Sequence, residues 1–265
     1  VDDFLQVLSE YVGGEYQLAD IRDFHSQKMP TIEGRYVHRY YISFNDDKEA
    51  EFYVKTESQT KNTRDREFAN TQLAHEHKLA PFIVKYNDLE MLVTFLADGG
   101  QLTPFHFIQD SHREKTLKVI ASMLGELHGL GLIHGDLAYL LGSQTIIDRH
   151  IYIGENYEGG MFIDYGKSEK FGIDDVLNSE IEKLVEKELV IAGINAYLNK
   201  SVMPEMTNLE ISAFEEAYSK GVDKGSPRMA DMEGAATLKL TGVGQIANAR
   251  ERELDFDTYL AREGF

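Results

Sequence analysis

The 265-residue sequence predicts an α+β fold in two lobes: a small mixed sheet carrying one helix, then a mainly helical part. Three observations carry this expectation. Strand-like segments crowd the first hundred residues and helix-like segments the rest, which argues for segregated α+β layers rather than alternating βα units. Asp98-Gly99-Gly100 breaks the pattern between the two regions. A long amphipathic helix then delivers the chain directly into the loop His134-Gly135-Asp136-Leu137. The lobes so divided are residues 1–96 and 97–265.

Residues 2–12 place Phe4, Leu5, Leu8, Tyr11 and Val12 at helical spacing, closed by Gly13-Gly14. Strands are expected over 16–24, 36–44 and 51–56. The run from Tyr36 to Phe44 is β-branched and aromatic, Asn45-Asp46-Asp47-Lys48 is a turn, and Glu51-Phe52-Tyr53-Val54-Lys55 returns, which reads as an antiparallel hairpin. A helix over 64–78 has Phe68 and Leu73 on its apolar side, and short strands follow at 83–86 and 91–96. Beyond the Gly-Gly break, 112–130 is the strongest helix. Its Leu117, Ile120, Leu124 and Leu127 form one stripe, and Gly129 and Gly131 close it. Strands are then expected at 145–147, 150–153 and 161–163, and helices over 174–199, 208–220 and 229–262. There is no internal repeat and no low-complexity linker.

Composition narrows the chemistry. Cysteine is absent, so disulfides, thiolate catalysis and Cys-ligated zinc or iron are excluded, and the chain suits the reducing cytoplasm. The opening residues Val1-Asp2-Asp3-Phe4-Leu5 lack the basic and apolar regions of a signal peptide. No apolar run approaches the ~20 residues that span a bilayer, so no membrane partner is expected. The net charge of −18 is spread evenly along the chain. Such a surface repels phosphate backbones and argues against direct nucleic-acid binding. It reads as a solubility device, with attraction of a cationic substrate as the sharper alternative.

Two acids stand out. Asp136 follows the long helix, and Asp164 follows the apolar strand Met161-Phe162-Ile163 and precedes Tyr165-Gly166. A carboxylate just past a buried strand is costly unless a cation or hydrogen-bond donors meet it. Two such acids beside one small sheet suit a pairing of one base with one metal ligand. The pair His75-x-His77 on a helix splays its rings onto different faces and is no metal site. His134 reads as a structural hydrogen-bonder.

At these residues the chain resembles the protein-kinase-like superfamily. The long helix plus LIHGDL is similar to the catalytic loop, and FIDYG to the metal-binding segment. EFYVK is similar to the strand that carries the ATP-binding lysine. The stretch from Arg66-Glu67-Phe68 to Leu79-Ala80-Pro81 resembles the helix bearing its glutamate partner, and MLVTFLADGG the last sheet strand and hinge. Glycine between the His and Asp is the form shared by choline and aminoglycoside kinases and by small atypical kinases. The resemblance covers roughly residues 36–170.

It implies an ATP- and Mg²⁺-dependent phosphotransferase acting on a hydroxyl of a small molecule or a dedicated protein partner. Lys55 would contact the α- and β-phosphates while paired to Glu67, with Glu76 on the same helix as the other candidate partner. Asp136 would orient and deprotonate the acceptor, and Asp164 would bind Mg²⁺. Adenine would bond backbone groups near Phe95 and Ala97. Two departures accompany these roles. The metal-binding Asn expected five residues after the catalytic Asp is Leu141, for which Ser143 or Gln144 is the nearest substitute. No Gly-rich phosphate loop precedes the hairpin, so Lys28 and backbone amides would take its place. Leu141 is also the feature favouring the alternative, a pseudokinase or nucleotide-binding regulatory module.

Overall fold

The computed structural model describes residues 17–28, 36–56, 61–86, 91–95, 102–104, 110–147, 149–154, 156–171 and 176–226. The helices expected over 2–12 and 229–262, the lobe boundary at 96/97 and Ala97 itself lie outside these residues.

The first lobe is one sheet of five strands in the order β1-β2-β3-β5-β4: β1 (Ile21–Lys28), β2 (Tyr36–Phe44), β3 (Glu49–Thr56), β4 (Phe82–Tyr86) and β5 (Met91–Phe95). The sheet is antiparallel at every pairing rather than mixed. Short connections join β1 to β2, β2 to β3 and β4 to β5, and β5 then slots between β3 and β4, antiparallel to both. β1 starts later than its apolar run suggests. Leu18–Asp20 form a 3₁₀ turn fastened by the Asp20 carboxylate accepting from the Gln17 amide at 2.8 Å, so extension begins only at Ile21. Alternation along β2 and β3 puts Ile42, Phe44, Phe52 and Val54 into the core. One helix, α1 (Lys61–Glu76), crosses between β3 and β4.

The second lobe is built around α2 (Arg113–Gly129), which presents Leu117, Ile120, Ala121, Leu124 and Leu127 to the main core. Its sheets are small. β6 (Leu102–Pro104), β10 (Ile151–Gly154) and β11 (Gly160–Phe162) make one, β7 (Leu132–Ile133) pairs β12 (Glu169–Lys170), and β8 (Ala138–Leu141) pairs β9 (Gln144–Ile147). The β8–β9 hairpin extends the sequence reading, which assigns no element to 138–141. Gly142 at φ 63° supplies the left-handed residue that lets Leu141 pair with Gln144. Two helices close the lobe, α3 (Val176–Lys200) and α4 (Asn208–Gly225), the latter opened by a capping box between Thr207 and Glu210.

α2 and α4 meet backbone to backbone. A Cβ on Gly125 would stand 2.0 Å from the Tyr218 carbonyl oxygen, and one on Gly225 2.0 Å from that of Glu126. Only glycine permits this approach, which locks the helix leading into the His-Gly-Asp loop against the last described helix.

The lobes are joined at the turn after α1. The Leu79 carbonyl accepts from the Phe162 amide at 2.8 Å and from the Tyr165 hydroxyl at 3.1 Å. The buried Asn70 amide donates to the Ser168 carbonyl and hydroxyl at 3.1 and 3.0 Å. α1 is thereby fixed to the segment that carries Asp164. Among the described residues no helix is long and apolar enough to cross a membrane.

Candidate active site

The β3 strand aims Lys55 toward α1 and the end of β11. Its ammonium donates to Glu67 Oε1 at 2.6 Å and also to Asp164 Oδ1. Glu67 is buried on α1, whereas Glu76 on the same helix is exposed, so Glu67 is the partner the fold brings to Lys55. Burial opposes the charge on Lys55, but the two carboxylates outweigh it and raise its pKa above the usual lysine value. Burial likewise pushes Asp164 up, and Lys55 and His150 outweigh it, so the carboxyl is held well below its ordinary range.

Asp164 sits at φ 63°, ψ 66°, a left-handed conformation unusual for a residue with a side chain. The kink turns the chain at the end of β11. Backbone held this way is found where the surroundings over-determine it. Here the Tyr165 hydroxyl bond to Leu79 and the Ser168 hydroxyl bond to the Tyr165 carbonyl at 2.6 Å do so.

Asp136 leaves the His-Gly-Asp loop half-buried, and Lys167 Nζ donates to its Oδ1 at 3.0 Å. The loop itself is held from below by Glu186 of α3. Oε1 accepts from the Gly135 amide at 2.7 Å, and Oε2 accepts from the His134 amide at 3.1 Å and faces His128 Nε2 at 2.9 Å. Burial raises the pKa of Glu186, but the His128 hydrogen bond leads the effects that bring it below the ordinary value. His128 Nδ1 lies 2.8 Å from the Tyr218 hydroxyl, so a buried polar chain runs from α4 through α2 and α3 to the loop.

His134 is fully buried, and its Nε2 lies 3.0 Å from the Ile163 carbonyl. A carbonyl only accepts, so Nε2 carries the proton, and the ring ties the Asp136 loop to the residue before Asp164. Burial lowers its pKa to about 4. The unfolded chain therefore binds this proton more tightly than the folded one. Stability is complete above about pH 6.5 and falls as pH drops from there toward 4, by up to about 3 kcal/mol from this group alone. Urea denaturation at pH 7, 6 and 5 checks it: wild type loses stability across that window, and His134→Gln flattens the slope.

The structure therefore brings Lys55, Glu67 and Asp164 together, and His150 links the Asp136 carbonyl to the Asp164 segment. Gln144 is not brought to Asp164. It is exposed on β9, opposite Leu141 at the hairpin tip, and lines a groove of about 610 Å³ against α3. Phe95 ends β5 with its backbone between Phe52 and Phe82. Lys28 ends β1 opposite His38, and its side chain lies outside the described residues.

Three residues at the site carry no role in the sequence reading: Lys167, Glu186 and His150, the last set aside there as one of several scattered histidines. Only Glu186 left a signal, since it shares the buried face of α3 with Val190 and Ile194 at spacings of four, an acid within an apolar stripe.

The chain matches no protein-family model, and no curated protein is similar to it in sequence. Two solved structures are similar to it. One is the Rio2 kinase of Chaetomium thermophilum, solved as an ADP/Mg²⁺-phosphoaspartate complex. It is 12% identical with a TM-score of 0.38, over 77% of this chain and 72% of that one. The other is the amicoumacin kinase hAmiN, solved with AMP-PNP, Ca²⁺ and Ami. It is 9% identical with a TM-score of 0.45, over 86% of this chain and 79% of that one.

Proposed function

We propose that the protein is an ATP-dependent phosphotransferase that moves the γ-phosphate to a hydroxyl of a small molecule or a dedicated protein partner. The observation that carries this reading is the position of Lys55 Nζ between Glu67 and Asp164, with His150 joining the Asp136 carbonyl to the Asp164 segment. An ammonium held by two carboxylates is aimed and charged, ready for phosphate oxygens. Residues 1–96 would cover the nucleotide, with Lys28, Phe95 and Ala97 along its path, and 97–265 would hold the acceptor.

Asp136 accepts the acceptor's hydroxyl proton while that oxygen bonds the γ-phosphorus. The bond from the γ-phosphorus to the bridging oxygen breaks, and ADP leaves with those electrons. Lys167, 3.0 Å from the base, is placed to meet developing charge on the transferred group. The donors present fit a divalent cation such as Mg²⁺. Lys55 holds one oxygen of Asp164, and the other oxygen faces the His150 ring. Among the described residues no three His, Asp or Glu side chains gather to enclose a metal, so phosphate oxygens would complete its shell. Asp164 would hold it, and when bound it neutralises charge on the β- and γ-phosphates.

ATP turnover by the purified chain, with water as acceptor of last resort, tests the reading. Asp136→Ala is expected to lose ~10²-fold in rate, the scale of a general base, while still gaining thermal stability from Mg²⁺·ATP. Binding without turnover in wild type would point instead to a nucleotide-binding regulatory module. No binding at all would end the proposal.

A further inference from the structure

Counting five residues on from Asp136 reaches Leu141, but the fold does not keep that count. The β8–β9 hairpin occupies 138–147, and the chain returns to the cleft only at β10. Leu141 is 63% exposed on the hairpin, away from the reacting groups. The residue that immediately precedes β10 is His150, and it is held against the Asp164 segment by its own backbone, whose carbonyl accepts from the Ile163 amide at 2.9 Å.

The ring of His150 is oriented at both nitrogens. Nδ1 lies 3.0 Å from the Asp136 carbonyl oxygen. That oxygen only accepts, so Nδ1 carries a proton, and in the neutral ring Nε2 presents its lone pair. Nε2 lies 3.8 Å from Asp164 Oδ2, the oxygen that Lys55 does not hold. This is too long for a hydrogen bond, and in the neutral ring two lone pairs face each other across a gap that a cation would fill. The span is one that a single divalent ion bridges at bond lengths of about 2.1 Å. A backbone carbonyl fixing one nitrogen so that the other ligates is how metal-binding histidines are positioned.

We propose that His150 is a protein ligand of the divalent cation that accompanies the nucleotide, sharing it with Asp164 through one imidazole nitrogen and one carboxylate oxygen. The inference rests on the phosphotransferase reading and gives that site a specific chemistry. Mg²⁺ strongly prefers oxygen donors, whereas imidazole suits first-row ions such as Fe²⁺, Ni²⁺ and Zn²⁺, a series in which Mn²⁺ binds most weakly. The site therefore favours Mn²⁺ over Mg²⁺ more than an all-oxygen site does.

The full chain with Mn²⁺ and the non-transferable, imide-free analogue AMP-PCP tests this by pulsed electron paramagnetic resonance. Wild type is expected to show coupling of the bound Mn²⁺ to a nitrogen that changes when histidine is labelled with ¹⁵N, a readout that needs no variant. His150→Asn, which restores an oxygen donor, is expected to lose that coupling and to shift the metal preference from Mn²⁺ toward Mg²⁺. Mn²⁺·AMP-PCP bound without histidine coupling overturns the ligand assignment and leaves the phosphotransferase reading standing. Failure of the chain to bind Mn²⁺·AMP-PCP at all overturns both.

Discussion

Lys55→Met is expected to remove ATP turnover by ~10³-fold and to cost about 3–5 kcal/mol of folding stability. Both effects come from one arrangement. The Glu67 side chain is 3% exposed and that of Asp164 32%. With the ammonium gone, Glu67 stays in the core as an unpaired charge beside a second carboxylate, and the cleft loses the cation that would meet the phosphates. A second substitution separates the two effects. In Lys55→Met/Glu67→Met the buried charge is gone as well, so most of the stability is expected to return while turnover stays lost. Urea denaturation and a coupled ADP assay on both variants decide the matter. A single variant as stable as wild type would mean that the ion pair does not form in solution. A double variant that regained turnover would remove Lys55 from the reaction.

What the sequence could and could not disclose follows from the range of each interaction. The helices and most strands among the described residues were legible because periodicity is local: 112–130 against the observed Arg113–Gly129, 174–199 against Val176–Lys200. Asp136 and Asp164 stand out in the sequence because each follows a patterned element, a helix exit or a strand end, whereas Lys55 is singled out only by the resemblance of EFYVK to a lysine-bearing strand. The choice of Glu67 over Glu76 needed burial, which the weak apolar pattern of α1 does not report. The strand over 138–141 was missed because four residues pair only with their own hairpin mate. That miss hid the displacement of His150 from the expected count. Lys167 reaches Asp136 from 31 positions away, and no spacing rule connects them. Charge behaved in the same way. The chain is acidic throughout, yet Lys78, Lys115, Lys118, Lys220 and Lys224 gather around one hollow between the turn after α1 and the helices α2 and α4, a clustering that exists only in space.

Glu186 carries the other large effect, and it does so without facing the cleft. Its two oxygens receive the amides of Gly135 and His134 and meet His128, the two histidines being buried. Gly135 has no freedom to find another acceptor. It is held at φ 75°, and a Cβ there would lie 2.8 Å from the Lys167 carbonyl oxygen. Glu186→Ala therefore leaves three donors facing a void and is expected to cost about 3–5 kcal/mol. Glu186→Gln keeps one oxygen but turns an amide group toward one of the donors, so it recovers only part of the loss. Because Lys55 and Glu67 belong to the other lobe, the nucleotide should still bind Glu186→Gln with a Kd close to that of wild type. The turnover rate should nevertheless fall by ~10²-fold, since Asp136 rides on the loop that Glu186 holds. This split, binding retained and rate lost, is what distinguishes a residue that positions the base from one that merely stabilises the fold. A Glu186→Gln variant whose rate is unchanged at equal nucleotide occupancy would show that the loop keeps its shape by other means.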